Sequence, residues 1–448
     1  MPSRRASEFV CDQCGSRTAK WAGRCPNCGE WDSLNEVASH KKTSLKEGSI
    51  GFAKPKTLSE VSASGYPRLS AGMPEVDRVF GGGLVAGSMT LLGGEPGIGK
   101  STLLLQMCDN TGKDQNTALY ASGEESPHQI KMRATRLGIN GNSISVLPEV
   151  SVGSILNVAE SMKPKLLIID SIQTAHVEEV GSAPGSVTQI RESAARFLRF
   201  AKNTQTPIVI AGHVTKEGNI AGPRALEHLV DVVLYLEGDA FGAWRILRGV
   251  KNRFGATFEV AVLEMRHSGL IEITNPSEAF LSERQKSAPG SAIAVTIEGT
   301  RALMVEVQAL VNRTVYSLPK RISNGIDSNR LTMLVAVLDR RANLPTSDLD
   351  IYVNVVGGLR IAEPAADLPV ALAIASSIRD TPINPDLAAF GEIGLSGEIR
   401  SVSVPDIRID EVNRMLFKSC LVPKSVDSNW IGSSKISSIR EALDEAFL

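Results

Sequence analysis

No stretch of this 448-residue chain is apolar over the roughly 18 consecutive residues that a membrane helix requires. The opening Met-Pro-Ser-Arg-Arg-Ala-Ser-Glu-Phe-Val has no apolar core of the secretory kind, so a cytoplasmic protein with no membrane partner is expected. A formal net charge of −1 leaves no global basic field, so contact with nucleic acid has to come from local patches. The first 56 residues are such a patch, with ten Lys or Arg against six Asp or Glu. Only six cysteines are present, and four of them crowd into residues 11–28. Cys108 and Cys420 stand alone and read as ordinary buried thiols, not as a disulfide framework. Internal repeats and low-complexity tracts are lacking too. What remains, 42% apolar and 22% charged residues, is a globular composition long enough for two or three domains.

Against that background one run stands out. Gly94-Glu95-Pro96-Gly97-Ile98-Gly99-Lys100-Ser101, continued by Thr102, fits the phosphate-loop pattern G-x-x-x-x-G-K-[ST]. Ser88–Leu92 before it reads as a short buried strand, and Thr102–Met107 after it as a helix start. Glycines let the backbone wrap a phosphate with its N–H groups, and the helix N-terminus adds positive potential. Lys100 is placed for the β- and γ-phosphates of ATP, and Ser101 for Mg²⁺.

Cys11-x-x-Cys14 and Cys25-x-x-Cys28 lie ten residues apart, each pair followed by a glycine that suits a tight knuckle. Four thiolates at this spacing can close a tetrahedral, structural Zn²⁺ site. A module of some thirty residues cannot fold on an apolar core alone, so the metal would stabilise it. Two disulfides are the alternative, and a reducing cytoplasm disfavours them. Trp21 and Trp31 pack on the knuckles or stack on a base or partner.

Residues 1–35 therefore read as a zinc ribbon and the Ser/Lys-rich 36–56 as a flexible linker. Residues 57–281 alternate strand and helix signals. Strands are expected at 118–121, 166–170, 208–213, 231–236 and 244–248, giving βαβ units and a mostly parallel sheet with its site at the strand ends. The polar stretch 282–290 marks a second boundary. Beyond it a separate unit, 282–448, has strands expected at 291–297, 303–309 and 352–356 and a helix at 367–378.

Asp170 follows four apolar residues, as a carboxylate that orders the Mg²⁺ shell does. Glu124, with Glu125 as the alternative, sits after the 118–121 strand and could orient the attacking water. His213 ends its strand as a candidate γ-phosphate sensor or a plain capping histidine. The glycine-rich loops 214–224 and 176–186 could line a channel for single-stranded DNA, with Lys216 and Arg224 on phosphates. Lys251 and Arg253 are expected on a loop just after the last core strand.

The ribbon, the phosphate loop, Tyr120-Ala121-Ser122-Gly123-Glu124-Glu125-Ser126 and above all Lys251-Asn252-Arg253-Phe254-Gly255 resemble the bacterial RadA (Sms) DNA-repair family over essentially the whole chain. The resemblance implies an α/β protein: a RecA-like P-loop ATPase core, an N-terminal zinc ribbon and a C-terminal α+β Lon-protease-like (S5-like) domain. It also implies a hexameric ring that hydrolyses ATP, binds single-stranded and branched DNA and drives branch migration alongside RecA. In ring ATPases a cation from the neighbouring subunit reaches the γ-phosphate, and Arg253, with Lys251 beside it, is the candidate. The Lon-like likeness rests on Gly391–Ile399 and the Asp367-Leu368-Pro369 helix start. Ala366 matches the position of the nucleophilic serine and Asp406 that of the catalytic lysine, so peptidase chemistry is not expected. Assembly and DNA contact, through Lys320, Arg321, Arg340 and Arg341, are the remaining uses of that domain.

Overall fold

A computed structural model of the chain describes residues 7–11, 17–18, 21–29, 31, 34–38, 57, 68–111, 117–213, 226–238, 243–315, 318–427 and 430–447. Cys14, Lys216, Arg224 and most of the expected linker lie outside the described residues. The chain divides into two compact units, Met1–Ser64 and Gly65–Leu448.

In the first unit, β1 (Ser7–Cys11) pairs antiparallel with β2 (Arg17–Thr18) and with β3 (Leu34–Ala38). Glu36, Val37 and Ala38, read from sequence as linker, are thus ladder residues opposite Phe9, Glu8 and Ser7. A second knuckle lies between β2 and β3. Gly29 adopts φ +79° and its N–H donates to the Cys25 carbonyl at 2.9 Å. Cys25 is buried and Cys28 exposed. Arg24 stacks over Trp31 at 5.7 Å and donates to the Gly29 carbonyl, while Trp21 and Trp31 stay largely exposed.

The second unit begins with β4 (Arg68–Leu69), α1 (Pro74–Phe80) and β5 (Leu84–Val85). It continues through β6 (Met89–Gly94), α2 (Lys100–Thr111), β7 (Ala118–Ser122), α3 (Pro127–Arg136), β8 (Ile144–Leu147) and α4 (Val152–Met162). Next come β9 (Leu166–Asp170), α5 (Val187–Thr204), β10 (Ile208–His213), β11 (Val232–Glu237), β12 (Trp244–Asn252), β13 (Val260–Arg266) and β14 (Gly269–Glu272). The strands from β6 onward form a nine-stranded sheet in the order β14-β13-β12-β11-β6-β10-β9-β7-β8. From β11 to β8 it is parallel, and β12, β13 and β14 extend it antiparallel. The central strands are apolar on both faces because each face is covered: β6, β7 and β9 are buried throughout. Strand ends run further than periodicity suggested: β6 reaches Gly94 and β12 reaches Asn252.

After α6 (Pro276–Leu281) come β15 (Ser291–Glu298), β16 (Arg301–Arg313), β17 (Arg321–Asn324), α7 (Ser328–Ala342), β18 (Leu349–Val355) and α8 (Asp367–Arg379). The chain closes with β19 (Leu387–Ala389), β20 (Glu392–Ile393), β21 (Ile399–Arg400), α9 (Pro405–Arg414), β22 (Ser419–Pro423), β23 (Ser433–Ile436) and α10 (Ile439–Ala446). A seven-stranded mixed sheet, β17-β18-β16-β15-β19-β22-β23, carries α8, which is buried from Asp367 to Ser376. The polar stretch at 282–290 is not a gap in the packing. One apolar cluster takes Ile246, Val260, Val262 and Phe280 together with β15, β16, α7 and α8. Ion pairs cross the same stretch, Arg248 with Glu298 and Arg301 with Glu75. The reason is that β12 to β14 form an antiparallel flap, one face of which needs a cover.

Candidate functional site

Register brings the site together. Across the parallel strands His213 pairs with Gly94, and Ser122 with Asp170. The C-terminal ends of β6, β7, β9 and β10 therefore form one edge, where open α/β sheets hold ligands. The loop Glu95–Gly99 leaves that edge and α2 begins at Lys100, two residues before the expected helix start, so Lys100 and Ser101 occupy its first turn. Gly97 and Gly99 take φ +78° and +117°, a region that L side chains rarely enter.

Lys100 is buried. Its ammonium donates to the carbonyls of Gly94 and Glu95, both at 2.9 Å, and meets Nδ1 of His213 at 3.2 Å. Burial pulls its pKa down, and the nearby Asp170 and Glu124 carboxylates oppose that pull. His213 Nε2 lies 3.1 Å from Oε1 of Glu124, and the same oxygen accepts from the Ser171 hydroxyl. His213 thus bridges the loop lysine and Glu124. Its hydrogen bond, reinforced by those of Ser171 and by the Lys100 charge, holds the Glu124 carboxyl down at about 2 against the cost of burial.

Glu125 faces elsewhere. Its carboxylate is paired with Arg133 of α3 and its N–H with the Ser122 hydroxyl. The split between neighbours follows from Gly123, whose N–H donates to the Asp170 carbonyl at 3.1 Å. A Cβ on Gly123 would lie 2.3 Å from Oγ1 of Thr174, so only glycine lets the turn close down on β9. Asp170 is buried, and its Oδ2 accepts from the Tyr120 hydroxyl. Burial, followed by the Asp170 charge and hydrogen bond, raises the Tyr120 pKa and keeps it a donor. Tyr120 lies one pleat from Ser122, the residue opposite Asp170, which is the diagonal contact of a sheet face. The sequence assigns no role to Tyr120 or Ser171 at this site, although a phenol and a hydroxyl flanking two carboxylates are the available signal.

Lys251 and Arg253 lie away from the phosphate loop, and only Arg253 is on the loop expected after its strand. Lys251 lies inside β12, where its ammonium donates to the carbonyls of Glu227 and Val230. Arg253 follows the end of β12, half exposed, with Nη1 3.6 Å from Oδ1 of the buried Asp231. Asp231 also accepts from the Met89 N–H and from Lys202. β12 runs antiparallel to β11, with Asn252 opposite Val232. That puts Arg253 level with Met89, the start of β6 on the far side of Asp231, while the phosphate loop leaves the other end of β6. Five strand steps, about 17 Å, separate the two.

Two further expectations change. The 176–186 loop is clamped over Val177–Ser182: the buried Gln189 amide accepts from Val177 N–H and donates to the carbonyls of Val177, Val180 and Ser182. Arg321 engages the carbonyls of Lys320, Thr346 and Leu349, so its guanidinium latches β17 to the turn before β18.

Among known proteins, residues 9–36 match the family model for a rubredoxin metal binding domain, and residues 55–219 the one for an AAA domain. The DNA repair protein RadA of Bacillus subtilis is 46% identical over 429 residues, 95% of this chain and 94% of that protein. Those of Pseudomonas aeruginosa and Escherichia coli K12 are 48% and 46% identical, each over 93% of this chain and 92% of their own length. The chain belongs to the RadA family of DNA repair proteins. The solved KaiC-like protein PH0186 of Pyrococcus horikoshii matches 47% of this chain at 18% identity and a TM-score of 0.40. The family and the AAA match carry the expected fold class, a RecA-like α/β ATPase behind a metal-binding ribbon. Among the described residues no helix is long and apolar enough to cross a membrane.

Proposed function

We propose that this RadA-family ATPase is a ring-shaped, ATP-driven motor on single-stranded and branched DNA that works with a RecA-type recombinase in the cytoplasm. The observation that carries the reading is the separation of Arg253 from its own phosphate loop by the length of β6. A side chain rooted five strand steps, about 17 Å, from the end of β6 is out of reach of its own nucleotide. A cation held at the opposite edge of the sheet suits a neighbouring subunit's γ-phosphate, with Lys251 behind it.

In this reading the backbone of Gly94–Gly99 and the Lys100 ammonium hold the phosphates of ATP, with Ser101 and Thr102 at the helix start. Mg²⁺ would be held by Ser101 and Asp170; Tyr120 engages Oδ2 of Asp170 and leaves Oδ1 for the metal's water shell. Mg²⁺ would neutralise charge developing between the β- and γ-phosphates. Glu124 orients the attacking water. With a carboxyl near 2 it is ionised throughout the physiological range and too weak a base to remove a proton early, so it acts by alignment. His213, touching both Lys100 and Glu124, senses whether a γ-phosphate has drawn Lys100 from its carbonyls, and passes that state into the 214–224 loop.

Cys11, Cys14, Cys25 and Cys28 are proposed to hold Zn²⁺. The Gly29 turn, with its N–H on the Cys25 carbonyl, is the backbone that such a knuckle needs. The domain bounds proposed are 1–35, with β3 carrying the ribbon to Ala38, then the 57–281 ATPase and a Lon-like 282–448. In the last, Ala366 is buried and Asp406 is exposed. Ala366 lines a cavity of about 280 Å³ whose charged walls are already paired, Arg330 with Asp367 and Glu363 with the fully buried Arg408. Ser376 bonds only backbone, accepting from Gly290 N–H and donating to the Thr381 carbonyl. None of this supplies a nucleophile with a base. Steady-state ATP turnover with and without single-stranded DNA tests the motor reading. Stimulation together with strand displacement supports it; turnover indifferent to DNA favours a non-motor switch.

A further inference from the structure

We infer that Arg245 is a positioning residue for the phosphate loop: its Nε–H holds the Ile98 carbonyl and thereby aims the Gly99 N–H at the bound phosphate. Arg245 is the second residue of β12 and is 4% exposed, although it is an arginine in an ATPase core. Nε donates to the Ile98 carbonyl at 3.0 Å, and Nη1 to the Trp244 carbonyl at 2.8 Å. The slot is built for it. Gly238 adopts φ +145°, and a Cβ there would stand 3.1 Å from Cδ of Arg245 and 2.6 Å from the Trp244 carbonyl oxygen.

The consequence follows from peptide geometry. In a trans peptide the C=O of one residue and the N–H of the next point in opposite directions. Tying the Ile98 oxygen back onto β12 therefore turns the Gly99 N–H away from β12, toward the cradle. Without a tether this peptide is free to rotate, because Gly99 sits at φ +117° and glycine enters either half of the map with little cost. A flipped peptide would present a carbonyl oxygen to an anion. Arg245 removes that alternative before the nucleotide arrives, which is preorganisation in the ordinary sense. Lys100 cannot do this; in the free protein it engages Gly94 and Glu95, at the other end of the loop.

The inference rests on residues 94–101 being a phosphate loop, and its test is arranged so that the two fail separately. Arg245→Gln keeps an N–H donor at the position of Nε, since the Gln Nε2 is the same number of bonds from Cα, but removes the charge. Arg245→Lys keeps the charge but puts a methylene where Nε stands. ADP affinity is measured on the full-length variants by titration, with nucleotide-free melting recorded alongside and Lys100→Ala as control. Arg245→Lys is expected to lose about tenfold or more in ADP affinity, while Arg245→Gln recovers most of it, within about threefold of wild type. In turnover the Arg245→Lys loss should appear in KM and leave kcat at saturation within about twofold. The reverse ranking would make Arg245 a through-space charge for phosphate and overturn the inference. Equal losses that track melting, or wild-type ADP affinity in Arg245→Lys, would make it a packing residue only. If one variant does not fold, the other still decides, because each has its own predicted affinity. Wild-type ADP binding by Lys100→Ala would instead bring down the phosphate-loop reading itself.

Discussion

Replacing Glu124 by Gln separates two jobs that the site gives one carboxylate. Its pKa is depressed from an ordinary 4.5 to about 2, His213 first and Ser171 after it doing the work against burial. At about 1.4 kcal/mol per pKa unit the depression corresponds to at most about 3.5 kcal/mol. The side chains of Glu124 and His213 are 38% and 34% exposed, so solvent screening leaves about 1 kcal/mol. Because the folded-state pKa lies below the unfolded one, this stabilisation is complete above about 4.5 and disappears as pH falls toward 2. Glu124→Gln should therefore be about 1 kcal/mol less stable than wild type at pH 7 in urea unfolding, and the gap should narrow clearly by pH 3 on its way to closing near 2. Turnover should drop about 100-fold, since a water-aligning carboxylate stands at the low end of acid–base contributions. ATP binding should persist. Wild-type turnover in Glu124→Gln, or a stability gap unchanged between pH 7 and pH 3, would refute the reasoning.

Lys100→Ala should abolish hydrolysis with the fold intact, and Arg253→Ala should spare nucleotide affinity while cutting turnover; mixed into common rings, the two should regain partial activity, and no regain in verified mixed rings would place Arg253 on another task. Gly123→Ala forces a methyl to within 2.3 Å of Thr174 Oγ1, so about 1–3 kcal/mol of stability and most of the turnover should go, as thermal melts and ATPase rates will show. Cys28→Ser should release zinc from the purified protein, measured by metal analysis, and leave basal ATPase activity within about twofold; absence of zinc from reduced wild-type protein would contradict the ribbon assignment.

Where periodicity and local chemistry agree, the reading from residues stands close to the structure. Strands at 118–121, 166–170 and 208–213 are found with at most one residue added, because a buried parallel strand must be apolar along its length. The exceptions have one cause. The sequence reading ends β12 at Arg248, but the strand runs on to Asn252, since its later residues pair with Val232 and Val233 at the far end of the hairpin formed with β11. Lys251 moved with it from a loop into a ladder. The 176–186 loop is glycine-rich in sequence, yet one side-chain amide, Gln189 of the following helix, ties down Val177, Val180 and Ser182. The boundary at 282–290 is polar in sequence, but the flap β12–β14 packs on the residues beyond it.

By itself the sequence determined the chemistry that each segment can carry. A glycine loop ending in Lys100-Ser101, a carboxylate closing an apolar strand at Asp170, and two cysteine pairs are local patterns whose meaning lies in spacing along the chain. Tertiary structure alone decided which of those groups meet. Glu124 rather than Glu125 faces His213 because Gly123 folds onto Thr174 from another strand's turn, and Arg133 of α3 takes the neighbour. Arg245 reaches Ile98 across 147 positions, and Arg253 ends up a strand's length from Lys100, because an antiparallel partner reverses direction within the sheet. Spacing along the chain sets what a residue can do; strand order and register set what it can reach.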